Sequence, residues 1–373
     1  MRYYMQYLKT RNVNLIKDMG TIPFKLYSKH GIDASVVTYK NGEYPYLNNE
    51  VKGLKIDFVK KVFHSFTLDG ARYLLLNSKK IDVLHIFHCT LSSVVYSYTY
   101  KLINPKGKIY LKLDCSHKLV ERIRGLSSFQ IKFLNKFLNK VDLISVEQVN
   151  LFNQLKELLP QQNKKMINVP NGIDYDYLNR NKIFYDYSKK ENTIVYVARI
   201  GAEEKNTQLL LEAFAKIPNI DGSDWTLKLI GPIEEYFKEY IQDYFKKYPK
   251  LTEKVVFTGE ISDRKSLYEE YRKSKICALT SDFESFAIAL IEAASMGNII
   301  ISTDVGIARE LVREDNGQIV PIKDVDAFSK ALYYFINNED NKKLCDKSAE
   351  ICKENFDWNN IVSKLYDSLL NLG

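Results

Sequence analysis

The amino-acid sequence predicts an α/β protein of two domains, each built on a parallel sheet with helices on both faces. Three observations support this prediction. The chain has 373 residues, which is more than a single hydrophobic core usually serves. Short apolar runs typical of buried strands alternate with longer helical patterns, as in a doubly wound sheet. The composition, with 45% apolar and 27% charged residues, is that of an ordinary globular protein.

The C-terminal half shows the alternation clearly. Its predicted strands are 193–199, 227–230, 255–258, 276–280 and 299–302. A helix is predicted from about Ser285 to Met296. In an open parallel sheet, ligands bind beyond the carboxyl ends of the strands. The loops after residues 199, 231, 259 and 280 are therefore expected to form one ligand-facing rim.

The N-terminal half repeats the pattern with weaker periodicity, because it is rich in tyrosine and lysine. Its predicted strands are 34–39, 83–87, 108–113 and 141–146. The polar stretch 179–192 is typical of a linker. We therefore expect the two halves to join near residues 170–190.

Positive charge is concentrated in the first half of the chain. Residues 1–180 contain 28 Lys and Arg against 14 Asp and Glu, whereas the rest of the chain carries a net negative charge. Lys132, Lys136 and Lys140 recur at helical spacing beside apolar residues, which predicts an amphipathic helix. This helix could rest on an anionic membrane surface, or it could face the core with solvated lysines. No zinc-finger, recognition-helix or RNA-binding motif accompanies the basic residues, so nucleic acid is not expected as a partner.

Targeting and cysteine patterns indicate the compartment. No apolar run is long enough to span a bilayer, and the N-terminus has no secretory signal. The five cysteines show no metal-ligand spacing,. We expect reduced thiols and a cytoplasmic protein, and the basic first half favours a peripheral position on the inner face of the cell membrane.

Two glutamates bracket an apolar stretch of the C-terminal half. Glu284 and Glu292 would lie up to roughly 12 Å apart if both were helical. That is too far for two carboxylates acting on one bond, which need about 5–9.5 Å, so the pair suits two anchors on an elongated ligand. The free N–H groups of the helix start could bind phosphate between them. Alternatively, Glu284 is only a first-turn residue favoured by the helix dipole.

Arg199 and Lys205 follow a predicted strand and precede a predicted helix. Both would point into the same rim, where they could neutralise a diphosphate. Basic residues after strands are common, so these two residues alone do not indicate a diphosphate site. Together with the glutamate pair they do.

Together these residues resemble the donor domain of the retaining glycosyltransferase family 4, whose fold is GT-B. The segments that carry the resemblance are 197–205, 284–292, 302–306, 170–174, 316–321 and 356–358. The resemblance implies two Rossmann-like domains that face each other across a cleft. The first, 1–168 with a C-terminal helix at about 356–373, would bind the acceptor. The second, 169–355, would bind a nucleotide sugar.

The resemblance also implies roles for individual residues. Arg199 and Lys205 would bind the diphosphate and stabilise the charge that develops on the leaving group. Glu292 would bind the ribose hydroxyls, and Glu284 a hydroxyl of the transferred sugar. The phosphate cradle would be formed at Ser285, Phe286, Ala287 and Ile288.

Several positions depart from the family pattern. Ala287 and Asn206 stand where glycine is common, and Asn298 stands where proline is usual. The usual N-terminal double glycine is absent. Gly20, within the segment 18–21, could replace it by allowing the backbone to approach the donor closely.

Five polar residues of the N-terminal half and its boundary need interpretation. Asp114 or His117 could contact the sugar as a family histidine does, or could form an ordinary polar cluster at a strand end. His88 is interpreted as a structural histidine. Asp174 and Asp176 match an Asp-X-Asp metal motif, but they follow a turn outside the donor site, so no metal and no cofactor are expected.

The expected function is a retaining, metal-independent transfer of a hexose-type sugar. The donor would be a nucleoside diphosphate sugar, with UDP expected before GDP. The acceptor would be a lipid-linked saccharide in capsule, O-antigen or cell-wall synthesis. Two alternatives stay open: a sugar-nucleotide epimerase of the same fold, and a noncatalytic nucleotide-sugar-binding regulator.

Overall fold

The computed structural model describes residues 1–313 and 315–372. The chain divides into two compact units. The first unit comprises Met1–Asn171 together with the chain from Trp358 onward, and the second unit comprises Gly172–Asp357.

The first unit is a parallel sheet covered by helices. Its strands are β1 (Arg2–Gln6), β2 (Asp33–Thr38), β3 (Lys55–Phe58), β4 (Val83–Phe87), β5 (Lys108–Leu113), β6 (Leu143–Val146) and β7 (Met166–Asn168). Its helices are α1 (Asp18–His30), α2 (Phe66–Asn77), α3 (Leu91–Ile103), α4 (His117–Arg124), α5 (Ser128–Leu138), α6 (Val149–Leu158) and α15 (Trp358–Leu370). The strand order is β3-β2-β1-β4-β5-β6-β7, with all neighbouring strands parallel.

The second unit repeats this architecture. Its strands are β8 (Glu191–Val197), β9 (Thr226–Ile230), β10 (Val255–Gly259), β11 (Ser274–Leu279), β12 (Ile299–Thr303) and β13 (Gly317–Val320). Its helices are α7 (Tyr175–Arg180), α8 (Thr207–Ala215), α9 (Phe237–Lys247), α10 (Arg264–Lys273), α11 (Ile288–Ser295), α12 (Ala308–Leu311), α13 (Val325–Ile336) and α14 (Asn341–Phe356). The strand order is β10-β9-β8-β11-β12-β13, so β8 and β11 are neighbours at the centre.

The structure confirms the predicted α/β class with two parallel sheets. The strands predicted at 83–87 and 108–113 are β4 and β5 residue for residue. The chain passes between the units at Asn171–Gly172 and again at Asp357–Trp358. The first crossing lies within the predicted range 170–190, but the assignment of 179–192 as the linker is wrong. The stretch 179–192 belongs to the second unit. Ile183 is buried in its core, and the Tyr185 hydroxyl donates to Asp346 at 2.6 Å.

The predicted basic helix is α5. Its C-terminal end and its exposed face differ from those predicted. It stops at Leu138, so Lys140 lies beyond it. Phe137 and Leu138 are buried, whereas Phe129 and Phe133 are 73% and 63% exposed. The apolar residues of α5 are therefore divided between the core and the solvent. Among the helices that the structure describes, none is both long and apolar enough to cross a membrane.

A buried ion cluster lies at the carboxyl ends of β5 and β6. The Lys112 ammonium, which is fully buried, contacts Asp18 at 3.2 Å and also the carboxylate of Glu147. Burial lowers the pKa of Lys112, but the charges of Glu147 and Asp18 outweigh burial and raise the pKa above its usual value. Lys112 therefore joins the start of α1 to the ends of two strands.

Replacing Lys112 with Met should lower the free energy of unfolding by about 3–5 kcal/mol, because two buried carboxylates would lose their counter-ion. Urea unfolding monitored by circular dichroism measures the change. Lys55→Met is the matched control, since its partner Asp33 is exposed and the expected loss is about 0–1 kcal/mol. Equal, small losses in both variants would contradict a stabilising role for the buried cluster.

Candidate functional site

The predicted charged residues of the second unit lie in loops that follow two neighbouring strands. Arg199 and Lys205 follow β8, and Glu284 follows β11. β8 and β11 pair in parallel, so their carboxyl ends meet at the same edge of the sheet. Residues that are far apart along the chain are thereby brought into contact.

An ion pair joins the two loops. The Lys205 ammonium lies 2.5 Å from Glu284 Oε1, and both side chains are largely buried. The Ser281 hydroxyl donates to the same carboxylate oxygen at 2.8 Å. Glu284 is thus held from two sides and presents its second oxygen for other contacts.

Backbone hydrogen bonds fix the position of Lys205. Its carbonyl oxygen accepts from the Tyr196 hydroxyl at 2.8 Å and from Thr280 Oγ1 at 3.0 Å. The Asp282 N–H donates to the Glu204 carbonyl at 2.8 Å. We call the segments 203–206 and 280–284, which these bonds and the ion pair join, the loop clamp.

Asn206 has a left-handed conformation in the loop clamp, with φ of 47°. Its side-chain amide donates to Asp282 at 3.1 Å. Asparagine tolerates this region better than most residues. The departure from glycine at this position therefore keeps the backbone geometry and adds a bond across the clamp.

Arg199 is the exposed cation of the site. Its side chain is 54% exposed and pairs with Glu204 at 2.5 Å. A second carboxylate, Glu234, lies 3.7 Å away. Because the guanidinium is exposed, these pairs are weak, and an anionic ligand can compete for it.

The helix after Glu284 begins later than the sequence predicts. Helix α11 starts at Ile288, whereas Ser285 and Phe286 are not helical. Ala287 precedes the helix in the left-handed conformation, with φ of 69°. This turn separates Glu284 from the helix, so the predicted distance of roughly 12 Å between two helical glutamates does not apply.

The left-handed turn precedes the start of α11, where the sequence predicts a phosphate cradle. The first N–H groups of an α-helix have no intrahelical partner. The turn is held in place by the Ile307 N–H, which donates to the Phe286 carbonyl at 2.9 Å. Gly306 makes this contact possible, because a Cβ there would lie 2.5 Å from the same carbonyl oxygen.

Glu292 lies on α11 beside buried tyrosines of α10. The Tyr271 hydroxyl lies 3.4 Å from Glu292 Oε2. Burial, and then the charge of Glu292, raise the pKa of Tyr271 well above its usual value. Tyr271 therefore keeps its proton and can donate it to Glu292. The role of Glu292 toward a ribose stays a prediction.

The predicted residues of the first unit lie after β5 and at the starts of α1 and α4. Asp114 follows β5 and is half-buried, whereas His117 is exposed at the start of α4. Gly20 lies in the first turn of α1, where a Cβ would come 2.2 Å from the Leu15 carbonyl oxygen. Packing against Leu15 therefore requires a glycine, and the predicted approach to a donor stays untested.

Several residues of the two loops and of the buried ion cluster were not predicted as functional. In the loop clamp these are Glu204, Thr280, Ser281 and Asp282, and in the ion cluster Asp18, Lys112 and Glu147. The small polar pair after β11 could have been found from its position at a strand end. Nothing in the local sequence indicates that Lys112 meets Glu147, because the two lie on neighbouring strands.

The Asp-X-Asp motif has a structural role. The Asp174 side chain caps α7 by accepting from the Tyr177 N–H at 3.3 Å. Among the described residues, no cluster of three or more histidines, cysteines or carboxylates has a geometry suited to a metal ion.

A known family matches most of the second unit. Residues 179–355 match the family described as Glycosyl transferases group 1. This range contains the loop clamp, Arg199 and all of α11.

Two sequence relatives show similarity outside this range as well as within it. The amylovoran biosynthesis glycosyltransferase AmsD of Erwinia amylovora is 24% identical over 356 residues, covering 93% of each chain. The phosphatidyl-myo-inositol mannosyltransferase of Mycobacterium leprae is 22% identical over 200 residues, covering 53% of this chain. The chain spans about half of the length of that mannosyltransferase, 52%.

Solved structures resemble the whole chain. A glycosyltransferase from Rickettsia africae has a TM-score of 0.77 at 16% identity, covering 100% of this chain and 98% of its own. Anabaena HepE in complex with UDP has a TM-score of 0.75 at 14% identity, covering 100% of both chains. At these identities the likeness shows the fold.

Ala287→Gly should raise the free energy of unfolding by about 0.5–1 kcal/mol. The left-handed conformation costs a residue with a Cβ about 1–2 kcal/mol, which exceeds the entropic cost of glycine, about 0.5–1 kcal/mol. Ala289→Gly, inside helix α11, is the control and should lower the free energy of unfolding by about 1 kcal/mol. Chemical denaturation measures both. A loss in both variants would mean that packing of the Ala287 methyl outweighs the strain.

Proposed function

We propose that the chain is a glycosyltransferase, because it has the GT-B fold and its residues 179–355 match the Glycosyl transferases group 1 family. It moves a hexose-type sugar from a nucleoside diphosphate sugar to a saccharide acceptor, with retention of configuration and without a metal ion. The loop clamp is the observation that supports this proposal most directly. It holds a cation and a carboxylate together at the carboxyl-terminal edge of a parallel sheet, a few residues before the start of α11.

In this proposal the ion pair of the loop clamp serves as a preorganised donor site. Lys205 and Arg199 bind the diphosphate, which displaces the weak contacts of Arg199 with Glu204 and Glu234. The N–H groups at the start of α11 bind phosphate oxygens. Glu284 accepts a hydrogen bond from a hydroxyl of the transferred sugar, and Glu292 binds the ribose.

The proposed reaction is a front-face substitution. The bond between the anomeric carbon and the phosphate oxygen breaks as the acceptor oxygen bonds to the same face of that carbon. The acceptor proton passes to the leaving phosphate. Lys205 and Arg199 stabilise the charge that develops on this phosphate, which is the term that usually contributes most to catalysis.

The relatives support a donor and an acceptor class. HepE was solved with UDP, so a UDP-sugar is the proposed donor. One relative is named for amylovoran biosynthesis and another for transfer to phosphatidyl-myo-inositol. We infer a saccharide acceptor on a lipid carrier, used in polysaccharide assembly.

An acceptor on a lipid carrier requires the enzyme to approach a membrane, and α5 is the proposed contact. Phe129 and Phe133 are exposed, with ring centroids 6.2 Å apart. Lys132 and Lys136 are exposed on the same helix. We call these four residues the α5 surface. Aromatic rings can enter the headgroup region while lysines contact anionic lipids, which makes this a peripheral protein of the cytoplasmic leaflet.

Thermal unfolding with UDP, GDP, ADP, CMP or dTDP tests the donor site. A ligand at a hundred times its dissociation constant adds about 2.7 kcal/mol of stability. We expect UDP to stabilise the protein selectively, and Arg199→Ala to abolish most of this stabilisation because a diphosphate contact is lost. Arg180→Ala, at the exposed end of α7, should respond to UDP as the wild type does.

The same measurement can contradict the donor assignment. If no nucleotide stabilises the protein at millimolar concentration, the donor site and the transferase proposal both fail. If GDP alone stabilises the protein, the site stands and the nucleobase assignment is wrong.

Replacing both Phe129 and Phe133 with Ser should weaken binding to anionic vesicles at least tenfold, because two exposed aromatic anchors are removed. Sedimentation with vesicles of mixed phosphatidylglycerol and phosphatidylcholine measures binding. Phe184→Ser, which replaces an exposed phenylalanine of the second unit, is the control. Equal binding of wild type and double variant would rule out the α5 surface as the membrane contact.

A further inference from the structure

The first unit contains a cavity of about 240 Å³ at the carboxyl ends of β1 and β4. Its size is just below the range of about 300–1,000 Å³ that is typical of sites for drug-sized ligands. The cavity therefore has room for one ring-sized molecule. Its aromatic walls are Tyr7, Phe66, Phe87 and Tyr96.

Gln6, at the end of β1, lines this cavity with an unsatisfied amide oxygen. The residue is 1% exposed, and its Oε1 lacks a hydrogen-bond partner. The Tyr96 hydroxyl donates to the Phe66 carbonyl at 2.5 Å, and its oxygen can still accept from the Gln6 Nε2. A buried amide oxygen without a donor costs free energy. A ligand hydroxyl would donate to it.

The rest of the polar lining favours negative charge. Helix α3 begins at the cavity with Thr90 as its N-cap, whose hydroxyl accepts from the Ser93 N–H at 3.2 Å. The Leu91 and Ser92 N–H groups have no intrahelical partner. Lys9 lines the cavity with its ammonium 4.8 Å from the centre of the Phe66 ring. Every residue that lines the cavity, all within the described chain, is neutral or basic. A helix start and a lysine around one cavity attract an anion.

His88 marks the rim of the same cavity with an unusual backbone. It follows β4 in the left-handed region, with φ of 59°, and its N–H donates to the Lys112 carbonyl at 2.9 Å. Residues in sparsely populated backbone regions concentrate at ligand sites. This bond also connects the rim to the strand that carries the buried ion cluster.

We propose that this cavity binds an acidic sugar residue of the acceptor, a pyranose ring that carries a carboxylate or a phosphate. The inference rests on the proposed function and narrows its substrate class. The aromatic walls contact the apolar face of the ring, and Gln6 binds a ring hydroxyl. The start of α3 and Lys9 bind the anionic substituent. Gln6 and Lys9 thereby determine which acceptor the enzyme takes.

Isothermal titration of the full chain with methyl glucuronoside, glucose 1-phosphate and neutral methyl glucoside tests the proposal. At least one anionic sugar should bind, and it should bind at least tenfold more tightly than methyl glucoside. Lys9→Ala should lower the affinity for the anionic sugar at least tenfold. Lys80→Ala, an exposed lysine of the same unit, should leave the affinity unchanged.

Gln6→Leu separates a ligand role from a structural one. It should raise the melting temperature, because a buried amide with an unsatisfied oxygen is replaced by an apolar side chain of similar size. It should also abolish sugar binding. A stable variant that still binds the sugar would overturn the assignment of Gln6.

The two anionic sugars distinguish a carboxylate from a phosphate as the source of the negative charge. Binding of the glucuronoside alone identifies a carboxylate-bearing acceptor, and binding of the phosphate alone identifies a phosphorylated one. Tighter binding of the neutral glucoside, or no saturable binding of any sugar at millimolar concentration, overturns the proposal. UDP stabilisation is measured in parallel. If UDP binds and the sugars do not, only this inference fails; if the sugars bind and UDP does not, the proposed function fails instead.

Discussion

The candidate site of the second unit depends on one contact, the ion pair between Lys205 and Glu284. Neither residue lies in a regular strand or α-helix, so local structure alone would leave both mobile. The Lys205 carbonyl is held by hydroxyls from β8 and from the residue after β11, which fixes the lysine where the glutamate can reach it. Because the two strands pair in parallel, the clamp forms only when the sheet is complete.

Two residues in or near this clamp have the left-handed backbone conformation that favours glycine, although neither is a glycine. Asn206 and Ala287 are both left-handed. Asn206 offsets its strain by bonding across the clamp, whereas the Ala287 methyl is buried at a contact with Gly306. Strain of this kind persists when the surroundings determine the geometry. The result is a rigid turn that presents the start of α11 beside Glu284.

The first unit places buried polar groups at the same edge of its own sheet. Lys112 has two carboxylate partners, whereas the Gln6 amide oxygen has no donor. The contrast separates a cluster that joins elements of the fold from a group that we propose binds a ligand. The two are connected through His88, whose backbone bonds to Lys112. The cavity at the ends of β1 and β4 and the ion cluster at the ends of β5 and β6 thus lie along one edge of the same sheet.

The sequence by itself determined the α/β class, most strands of the two sheets and the residue types of the candidate site. Apolar runs such as those of β4 and β5 are legible because burial on both faces imposes them. The linker and the start of α11 were misplaced, because polar composition does not reveal that Ile183 is buried or that Ala287 is left-handed. The pairing of Lys205 with Glu284, the partners of Lys112 and the unsatisfied amide oxygen of Gln6 were decided only by the tertiary structure. Each depends on which strands become neighbours, and parallel neighbours are distant in the chain.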